Sequence, residues 1–344
     1  MIVRCAAAVL LVASLGAVEA QDKLPLIKVV ATGGTIANTP SGRLHAGEVA
    51  EAIPALKKVA RLEVEEVMRV GSSSITLENW LTLARRINEI LSTEPEVKGV
   101  VVTHGSNTVE ETGYFLSLTV KSDKPVVLTA AQRQFRTLSS DSPKNFLQAV
   151  RVAASDEARG KGALVVTNDV INSARDVTKN ISYRLETYSS RDLGVLGYVD
   201  EDRVSFYHAP LKQHTMAAPF DVSRLQKLPR VDVIYTYADA DGTLIEAAVA
   251  QGGAEGIVIA GFPTGSGTPA MDQAVKRVAA KGIAVVMTNR GGIGRSTDTA
   301  QRAGEARPLI WGDNLTPQKA RILLMLALTT TRDPAELQRI FEKF

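Results

Sequence analysis

Hydroxyl and amide side chains directly follow one apolar segment of the sequence. Residues 101–112 read VVTHGSNTVEET, which places Ser106, Asn107 and Thr108 where a buried strand would turn into a helix. A serine or threonine hydroxyl becomes a nucleophile when a base lies beside it. The same residue types also cap helices, and acidic residues such as the next two glutamates favour a helix start. Capping accounts for one such residue, so the others are candidates for chemistry.

A second hydroxyl follows a pair of glycines. Residues 31–37 read ATGGTIA, with Thr35 directly after Gly34. Glycines allow a sharp turn or a close approach of the backbone to a ligand. The segment lacks the three-glycine spacing of a dinucleotide fingerprint and the Gly-Lys-Ser/Thr sequence of a P-loop. A plain turn between a strand and a helix remains an alternative interpretation.

Two further segments carry polar side chains at predicted strand ends. Ser72 and Ser73 lie in the run GSSS at 71–74, where serines could also cap the helix that Thr76 begins. Lys179 closes the run RDVTK at 175–179. A lysine in this position is normally a solvated charge, but burial beside hydroxyls would lower its pKa and make it a base.

The remaining titratable residues do not predict a metal site. The four histidines, His45, His104, His208 and His214, are scattered, and no His, Cys or carboxylate cluster has metal-ligand spacing. We therefore expect no metal site. The chemistry that remains is a serine or threonine nucleophile with a base other than histidine, facing an oxyanion hole of backbone amides.

Alternating elements position these side chains. Continuous apolar runs at 26–31, 99–105, 125–131 and 162–169 predict buried strands, and helical spacing at 77–91, 107–120 and 145–158 predicts helices between them. This alternation is typical of a parallel sheet with both faces covered. In such sheets a ligand binds outside the carboxyl ends of the strands, which is where the polar residues lie.

The pattern predicts two α/β domains. A larger, mainly parallel-sheet domain over 21–207 precedes a proline-containing linker over 208–230, and a smaller α/β domain follows over 231–344. The net charge of +3 carries no basic cluster, so nucleic acid is not an expected partner.

The first twenty residues have the character of a secretory signal. Arg4 precedes a short apolar core, and small residues precede a cleavage point after Ala20. A retained membrane anchor is the alternative, but the core is shorter than the roughly 20 residues that a span needs. Cys5, the one cysteine of the chain, precedes this core, which argues against a lipoprotein. We expect a periplasmic or secreted protein with no membrane association after cleavage.

The segments ATGGTIA, THGSNTVEET (103–112) and RDVTK together resemble the bacterial type II L-asparaginases, which include the glutaminase-asparaginases. The similarity extends over essentially the whole mature chain. The resemblance implies the asparaginase fold and an exported amidohydrolase that converts asparagine to aspartate and ammonia, often with some glutaminase activity. It also implies homotetramers with active sites shared between subunits, and no cofactor.

The resemblance also implies roles for single residues. Thr35 falls on the nucleophile, Lys179 on the catalytic lysine, and Ser106 on the second catalytic hydroxyl, which is usually threonine. Ser72 falls on a contact to the substrate carboxylate. Gly34, Ser73, Asn107 and Ala130 complete the expected substrate-binding set, with backbone N–H groups near Gly34 and Ala130 holding the oxyanion.

The sequence departs from the family pattern at several positions. Asn107 replaces an aspartate that binds the substrate α-amino group, and Leu44 lies near a position where the family has a catalytic tyrosine. His45 is a candidate substitute for that tyrosine. Thr264 lies near an asparagine that a neighbouring subunit supplies, and a distal glutamate is not clearly present in 291–305. These departures keep two alternatives open: an amidohydrolase with a shifted substrate, and a weakly active binding paralogue.

Overall fold

A computed structural model describes residues 24–297 and 309–344 of the 344-residue chain. The expected signal, its cleavage point after Ala20 and Cys5 lie outside the described residues. The last part of the segment 291–305, in which the family pattern has a distal glutamate, also lies outside them.

Within the described residues, eight strands form the first sheet, in the order β12-β11-β8-β7-β6-β5-β1-β4. Five neighbouring strands, from β7 to β4, are parallel, and the other three are antiparallel. The strands are β1 (Leu26–Gly33), β4 (Arg61–Val70), β5 (Val97–Thr103), β6 (Val126–Thr129), β7 (Ala163–Thr167), β8 (Val170–Ser173), β11 (Gly197–Val199) and β12 (Val204–Phe206). Two short hairpins pair β2 (Asn38–Thr39) with β3 (Gly42–Arg43), and β9 (Thr178–Lys179) with β10 (Tyr188–Ser189).

Helices cover both faces of this sheet. They are α1 (Ala46–Glu51), α2 (Leu77–Thr93), α3 (Val109–Thr119) and α4 (Ser142–Ala154). Successive strand residues point to opposite faces, so Val100 and Val102 pack with α2 and α3, while Val101 packs with α4. This two-sided burial explains why the central strands are continuous apolar runs, as the sequence predicted.

The edges of the sheet have a different composition from its centre. β4 lies at one edge, and none of its ten residues is fully buried. Its arginines and glutamates discourage pairing with another chain at that edge. The opposite edge ends in β11 and β12, which have three residues each. These strands are among the elements that apolar runs alone did not reveal.

A smaller sheet follows in the second half of the chain. Its parallel strands, in the order β13-β14-β15-β16, are β13 (Val231–Tyr235), β14 (Gly256–Gly261), β15 (Ala284–Asn289) and β16 (Ile310–Trp311). Its helices are α5 (Thr243–Ala250), α6 (Pro269–Ala279), α7 (Pro317–Ala327) and α8 (Pro334–Lys343). The larger mainly parallel unit and the smaller α/β unit have the predicted fold class.

The two sheet units share apolar contacts. Helix α7 packs against α3 of the first unit and against β13, β14 and β15 of the second. The connection over 208–230 contains one short 3-10 turn, Thr215–Ala217. It packs inward at Phe220, whose ring lies 5.6 Å from that of Phe344. The second unit therefore packs against α3, the helix that follows β5 of the first sheet.

Candidate active site

Three loops meet at the carboxyl ends of the strands of the first sheet. We call them the Thr35 corner (33–37, after β1), the Ser72 corner (71–74, after β4) and the Ser106 corner (104–108, after β5). β1 lies between β4 and β5, with Gly33 paired to Val70 and Ala31 paired to Thr103. Gly34 has φ +92°, and a Cβ atom on it would overlap the backbone of Gly105. A Cβ atom on Gly105 would lie 2.5 Å from the Oγ of Ser72. The absence of side chains at both glycines lets the corners touch.

Thr35 occupies the first of these corners. It is the first residue of a 3-10 turn, Thr35–Ala37, and its side chain is half-buried. Gly34, directly before it, is the residue that packs on Gly105. Ser106 follows Gly105, so each of the two candidate hydroxyls lies one residue beyond a glycine of the same backbone contact.

Lys179 reaches the Ser106 corner from the β9 hairpin. Its Nζ atom donates a hydrogen bond of 2.8 Å to the Oγ of Ser106, which is 7% exposed. Burial lowers the pKa of Lys179, and the nearby carboxylate of Glu110 partly opposes that effect. The pair is therefore a hydroxyl beside an amine whose neutral form has become easier to reach, as general base catalysis requires.

Asn107 belongs to the same corner. Its side-chain oxygen accepts a hydrogen bond of 3.3 Å from the Nζ of Lys179, and its backbone N–H donates to the Oγ of Ser72 at 3.2 Å. Asn107 is exposed, at the carboxyl ends of the strands. Lys179 thus has a neutral oxygen, rather than a carboxylate, as its second hydrogen-bond acceptor.

The polar residues at this corner do not cap α3. Thr108 is the N-cap residue, and no side-chain capping hydrogen bond is present there. Instead, the Oγ1 of Thr108 donates to the carbonyl of Ser72 at 2.9 Å. Capping is thus excluded as the reason for the Ser-Asn-Thr sequence. At α2, by contrast, Thr76 accepts from the N–H of Asn79 in a capping box, as expected.

The remaining expected substrate-binding residues lie at the strand ends. Ser72 is buried and Ser73 is exposed in the 3-10 turn Ser72–Ser74 that follows β4. Ala130 is fully buried directly after β6, and its carbonyl accepts a hydrogen bond from Asn145. The structure thus brings Ser72 into contact with Gly105 and Asn107, and it places Ala130 at the end of a neighbouring strand.

Two buried rings support the corner, and the sequence did not reveal either of them. The hydroxyl of Tyr188, on β10, donates 2.6 Å to the carbonyl of Ser106. His104 is fully buried, and burial lowers its pKa to about 4, so the ring is neutral. Its ring nitrogens contact Thr112, 3.0 Å away, and the carbonyl of Gly105. Thr112 in turn accepts from the indole of Trp80 at 2.9 Å, which anchors the corner to α2 and α3.

The positions that depart from the expected pattern have local contacts of their own. Leu44 packs with apolar residues beneath α1. His45 begins α1, and its ring lies 3.3 Å from a guanidinium nitrogen of Arg69 and 3.4 Å from a carboxylate oxygen of Glu66. Thr264 is exposed in the loop after β14, within 3.3 Å of the Ser266 hydroxyl. His45 is thus held by the end of β4 rather than by Ser106 or Lys179.

Residues 24–297 and 309–344 contain no group of three or more His, Cys, Asp or Glu side chains placed to hold a metal ion. Over the same residues, every helix is too short or too polar to cross a bilayer.

Family models match both halves of the chain. "Asparaginase, N-terminal" matches residues 26–212, and "Glutaminase/Asparaginase C-terminal domain" matches residues 230–341. L-asparaginase 2 of Bacillus subtilis is 43% identical over 343 residues, covering 97% of this chain and 90% of its own length. A Haemophilus influenzae protein named probable periplasmic L-asparaginase is 39% identical, covering 93% of each chain.

A solved structure agrees with these sequence matches. The probable cytoplasmic L-asparaginase of Campylobacter jejuni superposes with a TM-score of 0.87 at 40% identity. The match covers 93% of this chain and 100% of that one. The similarity thus extends through both sheet units and all three strand-end corners, and the chain belongs to the asparaginase family.

Proposed function

We propose that this protein hydrolyses the side-chain amide of L-asparagine to L-aspartate and ammonia, and that it also accepts L-glutamine. The observation that carries the proposal is the 2.8 Å hydrogen bond between Lys179 and Ser106, at a corner that touches the corner of Thr35. The family matches support the same reaction class.

Thr35 is the proposed nucleophile. Its hydroxyl oxygen attacks the amide carbon, and the proton it loses passes to the Ser106–Lys179 pair, which returns a proton to the leaving nitrogen. The carbon–nitrogen bond breaks and ammonia leaves. Water then hydrolyses the acyl-threonine ester, which releases the acid and restores the hydroxyl. Backbone N–H groups near Gly34 and Ala130 stabilise the oxyanion in this scheme.

The substrate's charged ends have separate proposed partners. Ser72 and Ser73, at the end of β4, contact the α-carboxylate. Asn107 accepts a hydrogen bond from the α-ammonium through its side-chain oxygen. Because this oxygen is neutral and also faces Lys179 at 3.3 Å, it is a weaker acceptor for a cation than a carboxylate would be.

That weakness favours a second candidate function. A substrate amide that lacks a free α-ammonium, or carries a modified one, would lose less from the neutral side chain at position 107. Such a substrate would use the same nucleophile and the same base. The two candidates differ in substrate recognition rather than in chemistry, so comparing substrates separates them.

We also propose a homotetramer with active sites shared between subunits, exported to the periplasm or secreted. Large apolar side chains on the single chain support assembly, since Leu138, Tyr183 and Leu211 are each at least 89% exposed. The Haemophilus relative is named periplasmic, which supports export, whereas the Campylobacter structure is named cytoplasmic.

Ammonia release by the purified mature chain tests the proposed reaction. We expect turnover of L-asparagine, slower turnover of L-glutamine, and a loss of about 10³-fold or more in kcat for Thr35→Ala. Because Lys179 must be neutral to accept a proton, kcat should rise with pH, with an inflection below the usual lysine value of 10.5.

Thr93→Ala, which removes an exposed hydroxyl at the end of α2, is the matched control and should leave kcat unchanged. The D-forms and des-amino analogues of both substrates complete the panel. Undiminished ammonia release by Thr35→Ala would refute the assignment of the nucleophile. Binding without release from any amide would instead identify a binding paralogue.

A further inference from the structure

A buried lysine outside the proposed catalytic set touches the segment that carries Lys179. Lys319 lies in the first turns of α7, in the second sheet unit, and is 1% exposed. Its Nζ atom donates to the carbonyl of Arg175 at 2.7 Å and to the carbonyl of Val177. Both acceptors are neutral, so the interaction is a directed pair of hydrogen bonds rather than an ion pair.

The same segment is held by a second contact from the second unit. The guanidinium of Arg175 donates to the side chain of Asn314 at 2.8 Å and to the backbone oxygen of Phe344 at 3.2 Å. Val177 is fully buried, and Lys179 follows two residues later in β9. The stretch from Arg175 to Lys179 is thus fixed from the side of the second unit just before it reaches Ser106.

Burying an ammonium group is costly, and the surroundings of Lys319 compensate only partly. Burial lowers the pKa of Lys319 to about 8, against the opposing charges of Glu110 and Asp176. Glu110 is 6% exposed, and its Oε2 atom has no hydrogen-bond partner within the described residues. The amine at this buried position donates to two carbonyls of the segment that carries Lys179, which points to a positional role.

We propose that Lys319 is a positioning residue, which holds the carbonyls of Arg175 and Val177 so that Lys179 stays within hydrogen-bond distance of Ser106. The inference rests on the proposed function, because it presumes that the Lys179–Ser106 pair moves protons. It makes the second sheet unit a determinant of catalytic geometry within the same chain. The hydrogen bonds of Lys319 go to Arg175 and Val177 rather than to Thr35 or Ser106.

Lys319→Met removes the donors and keeps an unbranched side chain of similar length. We expect kcat for L-asparagine to fall about 10- to 100-fold, since displacement of a catalytic group by about 1 Å has effects of that size. KM should stay within about twofold, because the substrate-binding corners are on other strands. Lys319→Gln keeps N–H donors on a shorter side chain, so its kcat should lie between those of Lys319→Met and the parent protein.

Arg321→Met is the matched control. Arg321 lies on the same helix, and its guanidinium donates to the carbonyl of Val231 at 2.8 Å, away from Arg175 and Val177. In this control, too, methionine replaces a cation that donates to a backbone carbonyl. The Arg321→Met protein should therefore lose stability without losing kcat per folded molecule. Circular dichroism and thermal unfolding measure the folded fraction for every variant.

Lys179→Met separates the two proposals. Full activity in Lys179→Met would refute the proposed function. Loss of activity there, together with parental kcat in Lys319→Met, would overturn the positioning role and leave the proposed function intact. If Lys319→Met does not fold, Lys319→Gln decides: a kcat at least threefold lower at unchanged KM supports the role, and a parental kcat overturns it.

Discussion

At the scale of single residues, position 107 carries a neutral amide in place of the carboxylate of the family pattern. Asn107 lies 3.3 Å from the Nζ of Lys179, where a carboxylate would form an ion pair. A carboxylate would favour the protonated form of Lys179 and would also attract a substrate ammonium. The amide attracts a substrate ammonium less strongly than a carboxylate would, and it leaves Lys179 easier to deprotonate.

Replacing Asn107 with aspartate tests this exchange. We expect Asn107→Asp to lower KM for L-asparagine about tenfold, since a charge-assisted hydrogen bond contributes about 1 kcal/mol or more beyond a neutral one. The added charge raises the pKa of Lys179, so the inflection of kcat should move to higher pH and kcat near neutral pH should fall. Steady-state kinetics between pH 6 and 10 measure both effects.

Asn79→Asp is the control for that substitution. It adds the same charge in the first turn of α2, where Asn79 already accepts from the N–H of Thr76, and should leave both constants unchanged. A higher KM for L-asparagine in Asn107→Asp, with a des-amino amide as the better substrate of the parent protein, would favour the second candidate function.

The sequence predicted the candidate catalytic side chains more completely than the residues that position them. The sequence alone identifies Thr35, Ser106 and Lys179, because the first two follow apolar runs and the third ends a polar run. Tyr188 and Lys319 are visible only in the fold, because each acts on a backbone carbonyl distant in the chain. A lysine near the start of a helix is normally a solvated charge, and its neighbours in the sequence do not distinguish Lys319 from that case.

At the scale of elements, the turn after β1 determines how closely two corners can approach. Gly33 and Gly34 have φ values of +101° and +92°, in the region that residues with a side chain rarely adopt. This backbone turns Thr35 away from the strand and presses Gly34 onto Gly105. Gly33 thus allows a close approach to the backbone of Val70, and Gly34 allows the contact with Gly105.

A methyl group at Gly34 should separate the corners. We expect Gly34→Ala to lower kcat about 100-fold and to reduce the free energy of unfolding by about 1–3 kcal/mol, through backbone strain and overlap with Gly105. Urea unfolding and ammonia release measure the two losses.

Gly47→Ala is the matched control for that change. Gly47 lies in α1 with open space around its Cα atom, and alanine favours a helix over glycine. This variant should keep full activity and gain slightly in stability. Equal activity in Gly34→Ala and Gly47→Ala would contradict the role assigned to the corner contact.

The sequence revealed the central strands because burial on both faces leaves a continuous apolar run. It revealed the edges less well for the opposite reason. β4 carries arginines and glutamates along an edge, and β11 and β12 are too short for a periodic signal. Their pairing is set by contacts across the sheet, which no local window of sequence contains.

At the scale of the whole molecule, the two sheet units are joined by more than the connection over 208–230. Helix α7 contributes apolar side chains to a core shared with α3, and it also carries Lys319. Single units of this kind are normally free to move relative to each other unless the shared surface is apolar. We therefore expect the two units to unfold together.

We expect the protein to form a homotetramer. Leu211, Leu138 and Tyr183 expose apolar surface on the single chain, which subunit contacts would cover. We expect size-exclusion chromatography with light scattering to give a mass of four chains, and we expect activity per chain to fall when dilution separates the subunits. A monomer that is fully active at all dilutions would exclude shared active sites.

The hydrogen bonds beneath the Ser106 corner also include a fluorescent side chain, the indole of Trp80. The indole of Trp80 stacks on Phe115, with ring centroids 5.3 Å apart, and donates to Thr112, which contacts His104. Indole emission depends on polarity and hydrogen bonding around the ring. Trp311, the other tryptophan of the sequence, lies in β16 of the second sheet. In a Trp311→Phe chain all indole emission would therefore come from Trp80, beneath the Ser106 corner.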